Sequence, residues 1–144
     1  MQPPNQRIVA IDYGRARLGI ALSDPSGKIA LPAQTIHVPK GGMAQAVEAA
    51  RAGLQHLSIY RLIIGLPLEL SGKEGVMAQE ARAFGEDLSS KLDVEVLFYD
   101  ERFSSSCAHA HLKALGLNRR QRHGQCDATA ACQLLQEYLD RQPL

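Results

Sequence analysis

Asp12 is the only acid between Ile8 and Ser23, a stretch rich in apolar and glycine residues that reads as two strands joined by a tight turn. A buried carboxylate costs several kcal/mol unless a cation or an opening to solvent compensates it, so a strand that ends on one presents it to something. The alternative is an Asp that caps its own turn. Gly14 and Gly19 are expected to supply unusual dihedrals and close backbone approach at that turn. Asp100 and Glu101 follow another apolar strand, Val94 to Tyr99. Neighbouring strand residues point to opposite faces, so one of the pair, by preference Glu101, faces any shared site. Asp127 stands one helical repeat before Ala130, Ala131, Leu134 and Tyr138, which puts it on a core-facing stripe. A first-turn acid favoured by the helix dipole is the other explanation.

Carboxylates gathered at one sheet edge repel one another unless a hard cation joins them. Mg²⁺ or Mn²⁺ suits oxygen ligands, and two such ions about 3.5–4 Å apart can activate water and stabilise the leaving oxygen of a phosphodiester. The candidate metal ligands are Asp12, Asp100, Glu101 and Asp127. Beside them lies a basic block. No acid occurs between Glu101 and Asp127, while Arg102, Lys113, Arg119, Arg120 and Arg122 all do, leaving the remainder acidic against a whole-chain charge of +1. This is the pattern of a polyanion-binding edge, or of a solvated loop. Arg17, Lys73, Arg102, Arg119, Arg120 and Arg122 are the candidate nucleic-acid contacts, with Arg102 equally able to pair with Asp100.

The elements that must position these groups follow in order. Strands are expected at 7–13, 17–23 and 28–37, the last two joined by the turn Asp24-Pro25-Ser26-Gly27. A helix at 43–57 precedes a strand at 62–66. A second helix at 75–92 carries Met77, Ala81, Phe84, Leu88 and Leu92 on one stripe, and a fifth strand covers 94–99. Helices at 105–115 and 126–141 complete the chain, with 117–126 as a basic loop and 65–75 as a loop that faces substrate or merely connects. Three meandering strands and then βα alternation predict an α/β fold with a mixed five-stranded sheet and helices on both faces. Sites in such sheets sit at the carboxyl ends of parallel strands.

The 144 residues suit a single domain, with residues 1–6 as a flexible tail. Cys107, Cys126 and Cys132 form no paired framework, and no apolar leader or membrane-spanning run is present, so a cytoplasmic location without membrane contact is expected. Cys107 and His111 share a helical face but lack a second ligand pair. Tyr13, Tyr99 and Phe103 are too few to form a base-stacking platform, and RNA is not distinguished from DNA.

Taken in order, Asp12-Tyr13-Gly14 with Arg17-Leu18-Gly19-Ile20-Ala21, Gly65-Leu66-Pro67 with Gly72, Asp100-Glu101-Arg102 with Ser104-Ser105, and Asp127 with Ala130-Ala131 and Leu134-Leu135 resemble the signatures of the YqgF/RuvX family. The resemblance runs from about Arg7 to Leu139. It implies a ribonuclease H-like fold and a nuclease that processes the 5′ end of pre-16S ribosomal RNA in ribosome biogenesis, within reach of a ribosomal precursor particle. A Holliday junction resolvase-like DNase acting on structured DNA is the older view of the family. Carried over by position, Asp12, Glu101 and Asp127 look like the metal-binding catalytic set. Phe103 replaces an expected aliphatic residue, and arginines replace lysines at 117–126; arginine still suits phosphate. Two rivals remain: an RNA-holding assembly factor without catalysis, and one half of an actin-like or sugar-kinase nucleotide-binding pair, whose phosphate loop the Asp-x-Gly hairpin also resembles.

Overall fold

The structure, a computed structural model, describes residues 2–67, 71–100 and 119–141, with side chains of the last segment described from Ala130 onward. Strands β1 (Arg7–Tyr13), β2 (Arg17–Ser23) and β3 (Ala30–His37) are followed by α1 (Met43–Leu54), β4 (Ile59–Leu66), α2 (Val76–Leu92), β5 (Glu95–Asp100) and α3 (Arg119–Asp140). The sheet order is β3-β2-β1-β4-β5. β2 is antiparallel to both β1 and β3, whereas β4 is parallel to β1 and β5. The mixed five-stranded sheet expected from the sequence is therefore present.

β1 lies at the centre because it has apolar residues for both faces. Val9, Ile11 and Tyr13 join Leu18, Ile20, Leu62 and Ile64 beneath α1 and α2. Ile8 and Ala10 join Ala21, Ala30 and Ile63 beneath α3. Each helix answers with a periodic stripe: Ala46, Val47, Ala50 and Leu54 on α1, then Ala78, Ala81, Phe84 and Leu88 on α2, and Ala131, Leu134, Leu135 and Tyr138 on α3. α2 stops at Asp93, whose left-handed conformation lets the turn bond back to Ser89 and Ser90.

Several boundaries differ from expectation. α1 ends at Leu54 and leaves Leu57 in a turn, β4 begins at Ile59, and β3 begins at Ala30. The largest difference concerns 119–126, expected as loop, which forms the first turns of α3. Asp127 is therefore inside a helix and not in its first turn. Gly65 and Leu66 belong to β4 and are not loop residues. The helix expected at 105–115 lies outside the described residues, as do Cys107 and His111.

Ser23 is the buried polar residue of the described core. Its Oγ accepts the Ile8 backbone N–H at 2.8 Å, just before the β1–β2 ladder begins at Val9. Gln2 also reaches Ser23 and donates to the Asp24 carbonyl at 3.1 Å. Replacing Ser23 with Ala strands the Ile8 N–H, and this is expected to destabilise the fold by about 1–3 kcal/mol. Urea unfolding checks the value, and faster exchange of the Ile8 amide checks the cause.

Candidate nuclease site at the carboxyl end of the central strand

The parallel ladder between β1 and β4 ends at Ile11 and Ile64, one residue short of Asp12. Asp12 still pairs with Gly19 of β2, so it stands where β1 turns from a parallel neighbour to an antiparallel one. That is a topological switch point, where open α/β sheets leave room for ligands. Asp12 is half-buried, and strand alternation sets it with Ile8 and Ala10 on the α3 face.

The turn beyond it is tight. A Cβ on Gly14 would lie 2.8 Å from the Arg17 carbonyl oxygen, so glycine is required there for close approach. Neither Gly14 nor Gly19 is among the positive-φ residues, which corrects the expectation of unusual dihedrals. Arg15 reaches out of this turn to Glu80 on α2, with Nη2 at 2.6 Å and Nε at 3.0 Å from the two carboxylate oxygens. The guanidinium holds the Glu80 carboxyl below the ordinary range. Tyr13 points the opposite way from Asp12, into the α1/α2 core, where its ring lies 4.9 Å from that of Phe84. Burial pushes its phenol up.

Arg17 opens β2 on the face of Gly19 and Ala21, diagonal to Asp12. Lys73 is exposed in the segment before α2, its backbone N–H on Ser71 Oγ at 3.4 Å and next to left-handed Gly72. Asp100 ends β5 opposite Leu66. It keeps step with Val96 and Phe98, which pack with α1 and α2, while Leu97 and Tyr99 pack toward α3. Asp100 and Asp12 thus belong to opposite faces. Glu101 and Arg102 lie outside the described residues. Asp127, Arg119, Arg120 and Arg122 stand on α3, and their side chains lie outside what is described. α3 packs across β1, β2 and β3. Cys132 Sγ donates to the Ala30 carbonyl at 3.3 Å, and Gln136 accepts the Ala30 N–H at 2.9 Å. Arg61 of β4 donates to the Tyr138 hydroxyl at 2.5 Å. Among the described residues no three His, Cys, Asp or Glu side chains form a metal group.

Two residues on this face escaped sequence reasoning. The β2–β3 ladder shifts register between Ile20 and Ala21, so Ala21 pairs with Pro32 but Ile20 pairs with Gln34. The extra residue reverses the parity of β3. Ala30 and Pro32 share the α3 face before it, and Thr35 and His37 share it afterwards, opposite Gly19 and Arg17.

The class of this architecture is α/β and ribonuclease H-like. A solved structure of Thermus thermophilus RuvC bound to a Holliday junction substrate superposes with a TM-score of 0.61, covering 94% of this chain and 95% of that one at 14% identity. The family model "RuvX: Holliday junction resolvase" matches residues 6–141, and the chain belongs to that family. A Chloroflexus aurantiacus protein named "Putative pre-16S rRNA nuclease" is 38% identical over 138 residues, spanning 94% of this chain and 88% of its own. One of the same name from Anaeromyxobacter dehalogenans is 38% identical over 135 residues, spanning 94% and 97%. The family is thus one of nucleases, hydrolases of phosphodiester bonds.

Proposed function

We propose that this chain is a single-domain, divalent-metal-dependent nuclease of the cytoplasm that trims the 5′ end of pre-16S ribosomal RNA, on RNA or a ribosomal precursor particle. The observation that carries the reading is Asp12, a half-buried carboxylate at the switch point of the sheet, on the face that α3 covers. The names of the 38% identical relatives supply the substrate. No helix among the described residues is long and apolar enough to cross a membrane.

Asp12 fits a hard cation: it offers oxygen ligands, it is partly withdrawn from water, and its strand ends in a turn held by Gly14. Asp12, Glu101 and Asp127 would hold Mg²⁺ or Mn²⁺, two ions in the full site. Bound there, the ions supply charge for an attacking water and for the departing oxygen. The alternation of β5 sets Asp100 on the face opposite Asp12, and this reading takes Glu101 as the ligand of the pair. On this reading Arg17, Lys73 and Arg102 contact the phosphates of the substrate.

Arg119, Arg120 and Arg122 share the first turns of α3. Reversing all three to Glu is expected to weaken nucleic-acid binding across sequences. On a single strand, the slope of log affinity against log salt should also flatten by about 0.7 for each phosphate that is no longer neutralised. Fluorescence anisotropy at several salt concentrations reads both.

A second reading, cleavage of structured DNA, is favoured by the family description and by the junction-bound RuvC of the same fold. Labelled pre-16S RNA, single-stranded DNA and a four-way junction, each incubated with Mg²⁺, Mn²⁺ or EDTA, separate the two. The expected result is metal-dependent cut RNA near the mature 5′ end, abolished by EDTA. Cleavage of the junction alone would transfer the assignment to DNA, and cleavage of none would leave the assembly-factor reading.

A further inference from the structure

We infer that Glu80 of α2 is a positioning residue for the nuclease site: through Arg15 and Tyr13 it pins the β1–β2 turn to α2 and thereby sets where the Asp12 carboxylate stands. The inference rests on the nuclease reading and extends it to three residues that take no part in the proposed metal or phosphate binding.

The sheet holds Asp12 on one side only. The β1–β4 ladder stops at Ile11 with Ile64, whereas the pairing with β2 continues through Asp12 and Tyr13. Contacts to α2 restrain the turn beyond. Tyr13 and Arg15, two residues apart, meet Phe84 and Glu80, which are four apart and so share one face of that helix. The Tyr13 ring lies 4.9 Å from that of Phe84, and Arg15 forks the Glu80 carboxylate, with Nη2 at 2.6 Å from one oxygen and Nε at 3.0 Å from the other. The Tyr13 hydroxyl lies close enough to hydrogen-bond the same carboxylate. Between the two anchors, Gly14 approaches the Arg17 carbonyl so closely that a Cβ would stand 2.8 Å from its oxygen. A turn this compact shifts as one piece, and Asp12 with it.

The competing explanation is an ordinary surface ion pair. The side chains of Arg15 and Glu80 are 64% and 28% exposed, so their attraction adds little to the stability of the fold. Their placement is what differs. A second fork of the same form, Arg51 on Glu48, joins residues three apart on α1 and restrains only that helix. Arg15 and Glu80 are 65 positions apart and tie a turn to a helix. A two-point fork fixes direction as well as distance. Catalytic groups must be held to within about 0.5 Å, and a misplacement of about 1 Å can cost on the order of 10²-fold in rate. A link that contributes little to stability can therefore contribute much to activity.

The test uses the full chain and reads three quantities: the Kd for Mn²⁺ from the electron paramagnetic resonance signal of the free ion, single-turnover cleavage of labelled pre-16S RNA in excess Mn²⁺, and amide hydrogen exchange of residues 12–16 in metal-free protein. Glu80→Ala and Arg15→Ala are each expected to raise the Mn²⁺ Kd about tenfold and to slow cleavage about tenfold, within the loss that misplacement can cause. The RNA Kd measured in EDTA should stay within about twofold, and the melting temperature within about 2 °C, as for other exposed ion pairs. Exchange in the turn should quicken while that of Ile11 does not. The double variant should be no worse than either single one, because both remove the same link. Exchanging the partners, Arg15→Glu with Glu80→Arg, should recover most of the metal affinity and rate, which a role in packing alone would not produce. Glu48→Ala, which breaks the fork within α1, should leave all three readings within about twofold. If the wild type binds Mn²⁺ and cuts RNA while Glu80→Ala and Arg15→Ala match it, or if the exchanged pair stays as impaired as the single variants, the positioning role is wrong and the nuclease reading survives. If the wild type neither binds Mn²⁺ nor cuts, both fall together.

Discussion

Asp12→Asn is expected to reduce phosphodiester cleavage by at least about 10²–10³-fold, the scale on which loss of one electrostatic element of a preorganised site acts. The substitution keeps the volume and removes the charge. Asp12 sits beyond the last β1–β4 pair and outside both apolar clusters, so circular dichroism and a thermal melt should show an intact fold. Glu101→Gln and Asp127→Asn are expected to act with the same magnitude. Single-turnover assays at saturating enzyme separate loss of chemistry from loss of binding. Wild-type rates in any one of the three would remove that residue from the catalytic set.

Phe84→Ala is expected to produce the largest loss of stability, about 3–5 kcal/mol. Phe84 is fully buried in the cluster that unites α2 with the sheet, against Tyr13. Its removal leaves a cavity that the neighbours can fill only in part. α2 lies close to the sheet, because a Cβ on Gly85 would come within 2.7 Å of the Phe98 ring and 2.9 Å of Ile64. The loss is a large fraction of a stability of about 5–15 kcal/mol. It should lower the melting temperature by roughly 6–20 °C. Chemical denaturation measures it directly. Activity should fall as well, because the ring of Tyr13, the residue after Asp12, loses its packing partner.

The fold was legible where periodicity and punctuation agreed. β1 and β2 match expectation to the residue, because an apolar run closes at Gly14 and a second run closes at Asp24-Pro25. The core stripes of α2 and α3 were equally plain. The start of α3 was hidden by Gly124 and its polar neighbours. A mid-helix glycine costs about 1 kcal/mol, which a 22-residue helix anchored by Ala131, Leu134 and Leu135 can absorb. Asp12 announced itself as the only acid in its stretch, and the alternation of β5 resolves which face Asp100 takes. Thr35 and His37 gave no such signal, since their face depends on a bulge created by pairing with β2. The need for glycine at 85 is also invisible in one dimension, being set by Phe98 and Ile64 from other elements.

A cavity of about 510 Å³ lies on the reverse side of the β1–β2 turn, bordered by Tyr13, Arg15, Lys40, Met43 and Glu80, with no contribution from Asp12. The nuclease reading needs no ligand there and requires cations beside Asp12, whose charge repulsion with Glu101 and Asp127 they relieve.

Thermal stability measured with Mn²⁺, with ATP and with both, on wild type and Asp12→Asn, tests this difference most directly. Mn²⁺ alone should raise the melting temperature of the wild type, ATP should add nothing, and Asp12→Asn should lose most of the metal response. A large stabilisation that needs ATP with metal, present in the wild type and absent in Asp12→Asn, would overturn the nuclease assignment.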